Sequence, residues 1–394
     1  MFVELIKVTN SLTAPIIDMD SRGASHNHVF FHPFFVIKAL SIAICLYLSI
    51  LQRINHQTMN QEKHIAIVGA TGAVGEEMLN CLAERNFPMS QLTLLASARS
   101  AGQTRTFRGE EITIKELTHD CFEGIDVALF SAGGGISLEY APSAAKAGCI
   151  VIDNSSAFRM DPDVPLIVPE INPGAAKETP KNIIANPNCT TIISLMALSP
   201  LHQEFGLQSI IASSYQAVSG SGAAGIAELE TQTKLLAEGK EITDEHMNCY
   251  PVQIASNVIP HVDVFLEGGY TKEEQKMLFE SQKILQLPDL KVTCTCVRVP
   301  VFRSHSVSIT AQFDKDVDVA SAKACFADQP GIQLKDDPDQ ELYPVPLDTT
   351  CKDDCLVGRI RKDQVLDNAL TIWVVGDQVR KGAALNAVQI AEII

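Results

Sequence analysis

Cys189 has the setting in this chain that most favours nucleophilic chemistry. It lies in Asn186-Pro187-Asn188-Cys189-Thr190-Thr191, after the short apolar run Ile183-Ile184-Ala185 and before a helix-like segment that begins at Ile192. Strand, tight turn and helix in that order place Cys189 at a helix N-terminus, where unpaired N–H groups and the macrodipole favour an anion. A thiolate is such an anion. A free cysteine titrates near ~8.5 and needs this kind of help to be nucleophilic at neutral pH. Asn188 offers a side-chain amide to an oxyanion. The competing reading is a buried thiol used as a small hydrophobe, and the polar turn argues against it.

Other candidate groups lie on either side. Gln216 ends the run Ser213-Ser214-Tyr215-Gln216, ahead of the glycine- and serine-rich loop Ala217–Gly222, and offers an amide to a substrate. Arg298 and His305 stand seven residues apart in CTCVRVPVFRSH. On one extended strand this odd spacing sends them to opposite faces, so Pro300 must break the run if they share a site. Arg159 sits in a loop of hydroxyls and amides that suits a phosphate or, equally, a surface ion pair. Glu273 and Lys276 are three apart on one face of a helix opened by the capping box at Thr271; alone, they read as a solvated pair.

The elements that must position these groups begin at His64-Ile65-Ala66-Ile67-Val68, a β-branched run leading into GATGAVG, Gly69–Gly75, and then a helix-like pattern. Strand, glycine-rich turn and helix form the setting in which backbone N–H groups meet a pyrophosphate, here around Gly69, Thr71, Gly72, Ala73 and Val74. The next strand, Leu92–Ala96, ends in Ser97–Gly102 with no carboxylate. Arg99 and Ser100 there suit a 2′-phosphate, so NADP is expected over NAD. Two further βα units follow, at Val127–Phe130 and Ile150–Ile152; the triple glycine Gly133–Gly135 after the first permits close backbone approach to the nicotinamide ribose. Ser306–Phe313 alternates strictly, as a half-buried antiparallel strand does. A last strand, Leu370–Val375, precedes a predicted helix from Ala383 to Ile394 that returns to cover the cofactor region.

The fold class expected is α/β, with an N-terminal Rossmann-like NADP-binding domain and an α+β catalytic and dimerisation domain built on a mixed or antiparallel sheet. The boundaries read as 61–190 with 374–394 for the first and 191–373 for the second. Lys plus Arg total 31 against 47 Asp plus Glu, a net charge of −16, which excludes a nucleic-acid or anionic-membrane partner for the core. The 11 cysteines lack disulfide-scaffold or zinc-site spacing, so free thiols, no metal and a cytoplasmic setting are expected. Residues 1–60 stay unassigned. Phe34–Leu51 is long and apolar enough for a membrane span or a targeting core, with a plastid transit segment as a further reading. An over-extended start, with translation beginning at Met59, is preferred.

From His64 to Ile394 the chain resembles the aspartate-β-semialdehyde dehydrogenase family. GATGAVG, SARSAG, FSAGG, NPNCTT, SYQAVSGSG, EEQK, CVRVPVFRSHS and VRKGAALNAVQIAE carry the resemblance, in the family's order. It implies Cys189 as nucleophile, His305 as acid/base, Gln216 and Arg298 as substrate ligands, Arg159 and Lys276 as phosphate ligands, and Glu273 near the substrate amine. It also implies Ser219, Gly220 and Gln378 near NADP, beside the glycine turn, Arg99 and Ser100, and a homodimer or homotetramer. Gly135 departs from the family's frequent serine and Gln378 from an asparagine common in bacterial members. Two other readings stay open: an N-acetyl-γ-glutamyl-phosphate reductase-like enzyme and a non-catalytic NADP-binding protein.

Overall fold

The computed structural model describes residues 62–394, which form one compact unit. The apolar segment Phe34–Leu51, and every reading attached to residues 1–60, lies outside the described residues. Two sheets organise the unit. The first holds β1 (Lys63–Val68), β2 (Met89–Ala96), β3 (Thr104–Phe107), β4 (Glu110–Glu116), β5 (Val127–Phe130), β6 (Ile150–Asp153) and β7 (Ile183–Ala185), in the order β3-β4-β2-β1-β5-β6-β7. Its pairings are parallel except β3 with β4.

A parallel sheet covered on both faces needs apolar residues on both sides of each strand. In β1, Ile65 and Ile67 join one core cluster with Met78, Leu82, Leu385 and Val388, while Ala66 and Val68 join another with Ala141 and Ala144. The covering helices are α1 (Ala73–Glu84) and α2 (Gly134–Lys146). The same β1 therefore anchors two layers.

The second sheet is mixed: β8 (Leu207–Gln216), β9 (Lys291–Arg298), β10 (His305–Phe313), β11 (Ile332–Leu334), β12 (Cys355–Lys362) and β13 (Ala369–Gly376), in the order β11-β12-β13-β10-β8-β9. Strand β10 is antiparallel to both β8 and β13, as its alternation predicts. Packed on this sheet is α3 (Cys189–Phe205), in which every residue from Thr190 to Leu201 is buried. A helix apolar on all sides is a core helix. Leu195 and Leu198 are fully buried, each contributing about 1.5–3 kcal/mol relative to exposure.

Two further helices, α4 (Gly222–Ala237) and α5 (Lys272–Leu285), follow β8, and α6 (Leu385–Ile393) closes the chain against the first sheet. The C-terminal helix departs from the expected one. Arg380–Ala384 is a π-helical turn, and regular α-helix starts only at Leu385. Such single π turns commonly accompany functional sites, and this one runs beside Cys189.

Candidate active site

The end of the second sheet gathers the polar groups. Strands β8 and β9 run parallel with Gln216 opposite Arg298, and β10, antiparallel to β8, begins at His305 beside the same end. Arg298 closes β9, the chain breaks at Val299-Pro300, and His305 opens β10. Two groups that one strand would separate therefore meet at one sheet edge. The peptide of Ala217 fixes both: its carbonyl accepts from Arg298 Nη1 at 2.7 Å and its N–H donates to His305 Nδ1 at 3.0 Å. Gly220 makes room for them, since a Cβ there would lie 2.9 Å from Arg298 Nη1 and 3.3 Å from His305 Cε1.

Cys189 enters from α3. It is the first residue of that helix, and Asn188 is the N-cap. A cavity of about 330 Å³ is lined by Cys189, Asn188, Gln216, Arg298, His305, Arg159, Glu273 and Lys276, together with Ser156, Gly220, Val262 and Asp263. Every residue expected to act on substrate thus faces one space.

Several of these groups are held differently from the sequence-based expectation. Asn188 Oδ1 accepts from the N–H groups of Thr190 and Thr191 at 3.0 and 3.2 Å, and its Nδ2 donates to Glu273 Oε1 at 2.9 Å. Its oxygen serves the cap and one of its N–H groups serves Glu273, which leaves the second amide N–H for an oxyanion in the cavity that Asn188 lines. The Cys189 N–H is left as the amide of that turn with no partner among the described residues. Gln216 Nε2 donates to Thr190 Oγ1 at 2.6 Å and to Glu273 Oε1 at 3.1 Å, so its carbonyl oxygen is the end available to a ligand.

Electrostatics sharpen the roles. Burial, then the Glu273 carboxylate, push the Cys189 thiol up to about 11, against Arg159, the Thr190 hydroxyl and Arg298. The sequence led to the opposite expectation, an activated thiolate, because it showed the helix N-terminus and not the carboxylate. Burial and then the charge of Arg298 hold His305 well below the ordinary imidazole value. The ring is neutral at pH 7, and because Nδ1 accepts the Ala217 N–H, its proton sits on Nε2.

Burial works against ionisation of Glu273, but Lys276, Asn188 and Gln216 more than offset it and hold the carboxyl below the usual range. Burial likewise opposes the charge on Lys276, which is nonetheless raised by Glu273 and Asp263, its partners at 2.9 and 2.8 Å. The expected surface pair is thus a partly buried wall of the cavity. Arg159 is buried and ion-paired with Glu280 at 2.9 Å. Removing one member of such a pair costs about 3–5 kcal/mol.

The first sheet presents a second constellation. Gly69 has φ +89°, and a Cβ on it would strike Ser131 O at 2.4 Å; a Cβ on Gly75 would lie 2.3 Å from Gly69 O. Gly72 is the N-cap of α1 with no side-chain cap, and the amides of Ala73, Val74 and Gly75 find no acceptor among the described residues. This is an anion cradle built of backbone, fitted to a dinucleotide pyrophosphate. Thr71 lies in that turn, Arg99 stands exposed after β2, and Ser100 beside it is buried. Gln378 is buried and engaged at both ends, accepting from Ser304 N–H at 2.8 Å and donating to Ser219 Oγ. Ser304 has φ +76°, a left-handed conformation strained for serine, so Gln378 holds the bend that delivers His305.

Comparison with known proteins decides the family. Residues 64–179 match the semialdehyde dehydrogenase NAD binding domain, and residues 198–381 the semialdehyde dehydrogenase dimerisation domain. The aspartate-semialdehyde dehydrogenase of Aquifex aeolicus is 52% identical over 332 residues, 84% of this chain and 97% of that one. The chain belongs to the aspartate-semialdehyde dehydrogenase family. Among solved structures, aspartate semialdehyde dehydrogenase II from Vibrio cholerae, complexed with ASA, is 46% identical with a TM-score of 0.82, covering 84% of this chain and 98% of that one. The Candida albicans enzyme with NADP is 25% identical with a TM-score of 0.65, covering 84% and 98%.

Within this family member, sequence reasoning missed three residues of the site. Glu280 lies seven residues after Glu273 on α5, a same-face spacing that the sequence carried. Asp263 pairs with Lys276 from a loop without pattern. Gly382 packs against the nucleophile, where a Cβ would lie 2.7 Å from Cys189 Cβ; the glycine in VRKG was its signal.

Proposed function

We propose that Cys189, His305, Gln216, Arg298, Arg159, Lys276 and Glu273 carry out the family's reaction, the NADPH-dependent reductive dephosphorylation of L-aspartyl 4-phosphate to L-aspartate 4-semialdehyde. This reaction feeds lysine, threonine, methionine and isoleucine biosynthesis. One observation carries the assignment of residues: a thiol, a neutral imidazole, two arginines, a lysine and an ionised carboxylate share one cavity. Each charge answers one group of the substrate. Arg298 pairs bidentately with the α-carboxylate, Glu273 takes the ammonium, and Arg159 with Lys276 meet the phosphate. A carboxylate held ionised suits a free amine and not an acetylated one, which argues against the N-acetyl-γ-glutamyl-phosphate alternative. A non-catalytic NADP-binding protein has no use for such a set.

Cys189 attacks the acyl carbon as its thiol proton passes, through solvent, to the departing phosphate. The C–O bond to phosphate breaks with its electron pair leaving on phosphate, and a thioester forms while Arg159 and Lys276 hold that phosphate. The substrate ammonium, paired with Glu273, removes the nearest charge opposing the thiolate. His305 Nε2–H donates to the oxygen that becomes negative in each tetrahedral state, beside the free Cys189 N–H; one such donor is typically worth about 10²–10³ in rate. Full acid/base transfer at that nitrogen would require the ring to give up the Ala217 N–H. NADPH, when bound, supplies the hydride that reduces the thioester. The resulting alkoxide expels the Cys189 thiolate and leaves the aldehyde. The backbone of Gly69 and Thr71–Val74 would hold the cofactor's pyrophosphate, Arg99 and Ser100 its 2′-phosphate, with Ser219 and Gly220 nearer the nicotinamide end.

The match of residues 198–381 to a dimerisation domain supports assembly into an oligomer, and we infer a homodimer or homotetramer. Ile211 and Tyr215, exposed on β8 away from α3, are apolar residues suited to such a contact. No helix among the described residues is long and apolar enough to cross a membrane. We place the reaction in the cytoplasm; the plastid alternative finds no support in bacterial relatives such as the Aquifex aeolicus enzyme. Domain limits of 61–190 with 374–394 and of 191–373 remain our proposal. The decisive assay is reduction of NADP that requires both aspartate semialdehyde and inorganic phosphate. Its absence in the purified protein overturns the reading.

A further inference from the structure

Glu280 is a buried carboxylate at the active site that does not line its cavity. It is 1% exposed, and each of its oxygens has one partner. Oε1 accepts from Arg159 Nη1 at 2.9 Å, and Oε2 accepts from the backbone N–H of Asn188 at 2.6 Å. Arg159 is further pinned by Nε to Asn186 O at 2.9 Å and Nη2 to Asn154 O at 2.7 Å. The guanidinium is therefore gripped from three chain segments, and only its remaining N–H groups can face the cavity.

We infer that Glu280 is a positioning residue: one carboxylate ties the cation that receives the phosphoryl group to the peptide that precedes the nucleophile. The inference rests on the reading of Arg159 as a phosphate ligand. Chemistry explains why a carboxylate is needed. Both partners are N–H donors, so the site demands two acceptors. A glutamine of the same shape supplies one and turns an NH₂ group toward the other donor. Asn188 is also the cap of α3, so a shift of its peptide moves Cys189 relative to Arg159. The two ends of the scissile acyl phosphate bond are thereby held in register.

Charge and position make opposite forecasts for Glu280→Gln. Removing a negative charge beside Arg159 should, by Coulomb's law alone, tighten phosphate binding. Loss of register should weaken it, since a displacement of about 1 Å near reacting groups can cost about 10²-fold. The test uses the full-length enzyme with inorganic phosphate as probe, once as the varied substrate in NADP reduction and once in calorimetric titration. For E280Q the expected result is a rise of about 10- to 100-fold in both the KM and the Kd for phosphate. The KM for aspartate semialdehyde should stay within about 2-fold. Glu280→Asp, which keeps two acceptors, should recover part of the loss.

Unchanged or tighter phosphate binding in E280Q overturns the inference, as does a fall in kcat and stability with both KM values constant, which is what a merely structural role gives. Should E280Q fail to fold, Arg159→Lys carries the test. It keeps the charge, cannot reach three oxygens, and must show the same weakened phosphate titration. Calorimetry separates the two readings: a protein that binds phosphate through Glu280 and Arg159 but does not oxidise aspartate semialdehyde sinks the proposed function and leaves the positioning role standing.

Discussion

Two helix starts in this protein look alike in sequence and are used in opposite ways. At α1 the N-cap is Gly72, no side chain caps the helix, and the first amides stay open. At α3 the N-cap is Asn188, whose side chain takes the amides of Thr190 and Thr191 while its own N–H is taken by Glu280. Each follows a parallel strand. The first is an open receptor for an external anion; the second is capped from within by Asn188 and presents the Cys189 sulfur beside one free amide, that of Cys189 itself. A helix N-terminus thus becomes a binding site or a mounting according to whether the chain supplies its own acceptors.

The largest effect should come from removing what the filled turn presents. Cys189→Ala should lower phosphate-dependent NADP reduction by about 10⁴-fold or more while circular dichroism and thermal unfolding stay near those of the parent. Retained activity would mean that the turn mounts nothing of consequence. Next, Gly72→Asp should fill the open turn. We expect NADP affinity, measured by fluorescence titration, to fall about 10- to 100-fold through like-charge repulsion at the pyrophosphate, while α1 gains only about 0.3 kcal/mol from the new cap, because glycine is itself a tolerable N-cap. Unaltered NADP binding would show that the open amides are not used.

The reciprocal change is informative in sign. Asn188→Ala empties the filled turn and should cost about 0.5–2 kcal/mol in denaturant unfolding, with loss of activity because Glu273 loses a donor. Smallest is a pH shift. Since burial and Glu273 raise the thiol to about 11, alkylation of Cys189 by iodoacetamide in the ligand-free enzyme should climb about tenfold per pH unit from pH 7 to 10. In Glu273→Gln the midpoint should move down, because one opposing charge is gone. A plateau near neutral pH in the parent would show that the helix N-terminus outweighs both effects.

Much of this was readable before any coordinates. GATGAVG needed glycine at Gly69 and Gly75 because neighbouring backbone atoms occupy the space of a Cβ, and the alternation in Ser306–Phe313 followed from one face packing on α3. The break at Pro300 was required by the parity of Arg298 and His305, and the structure places it there. Asn188 is legible in the sequence as a site residue, but the partners of its side chain are not. A side chain's sequence neighbours show which groups are near along the chain, whereas the partner that engages the Asn188 amide, Glu273, lies 85 residues away. The thiol misled for the same reason: its opposing carboxylate comes from α5.

What the sequence by itself determined is the set of local geometries: strand, turn and helix at Gly69 and at Cys189, the glycines that permit close approach, and the residue types able to do acyl transfer. These follow from backbone sterics and short-range periodicity, which act over a few residues. Tertiary structure alone decided which donors and acceptors are already used, where the imidazole carries its proton, and that a single buried carboxylate bridges Arg159 and Asn188. Those depend on burial and on charges brought together from distant segments, and in a low-dielectric interior such interactions set the chemistry.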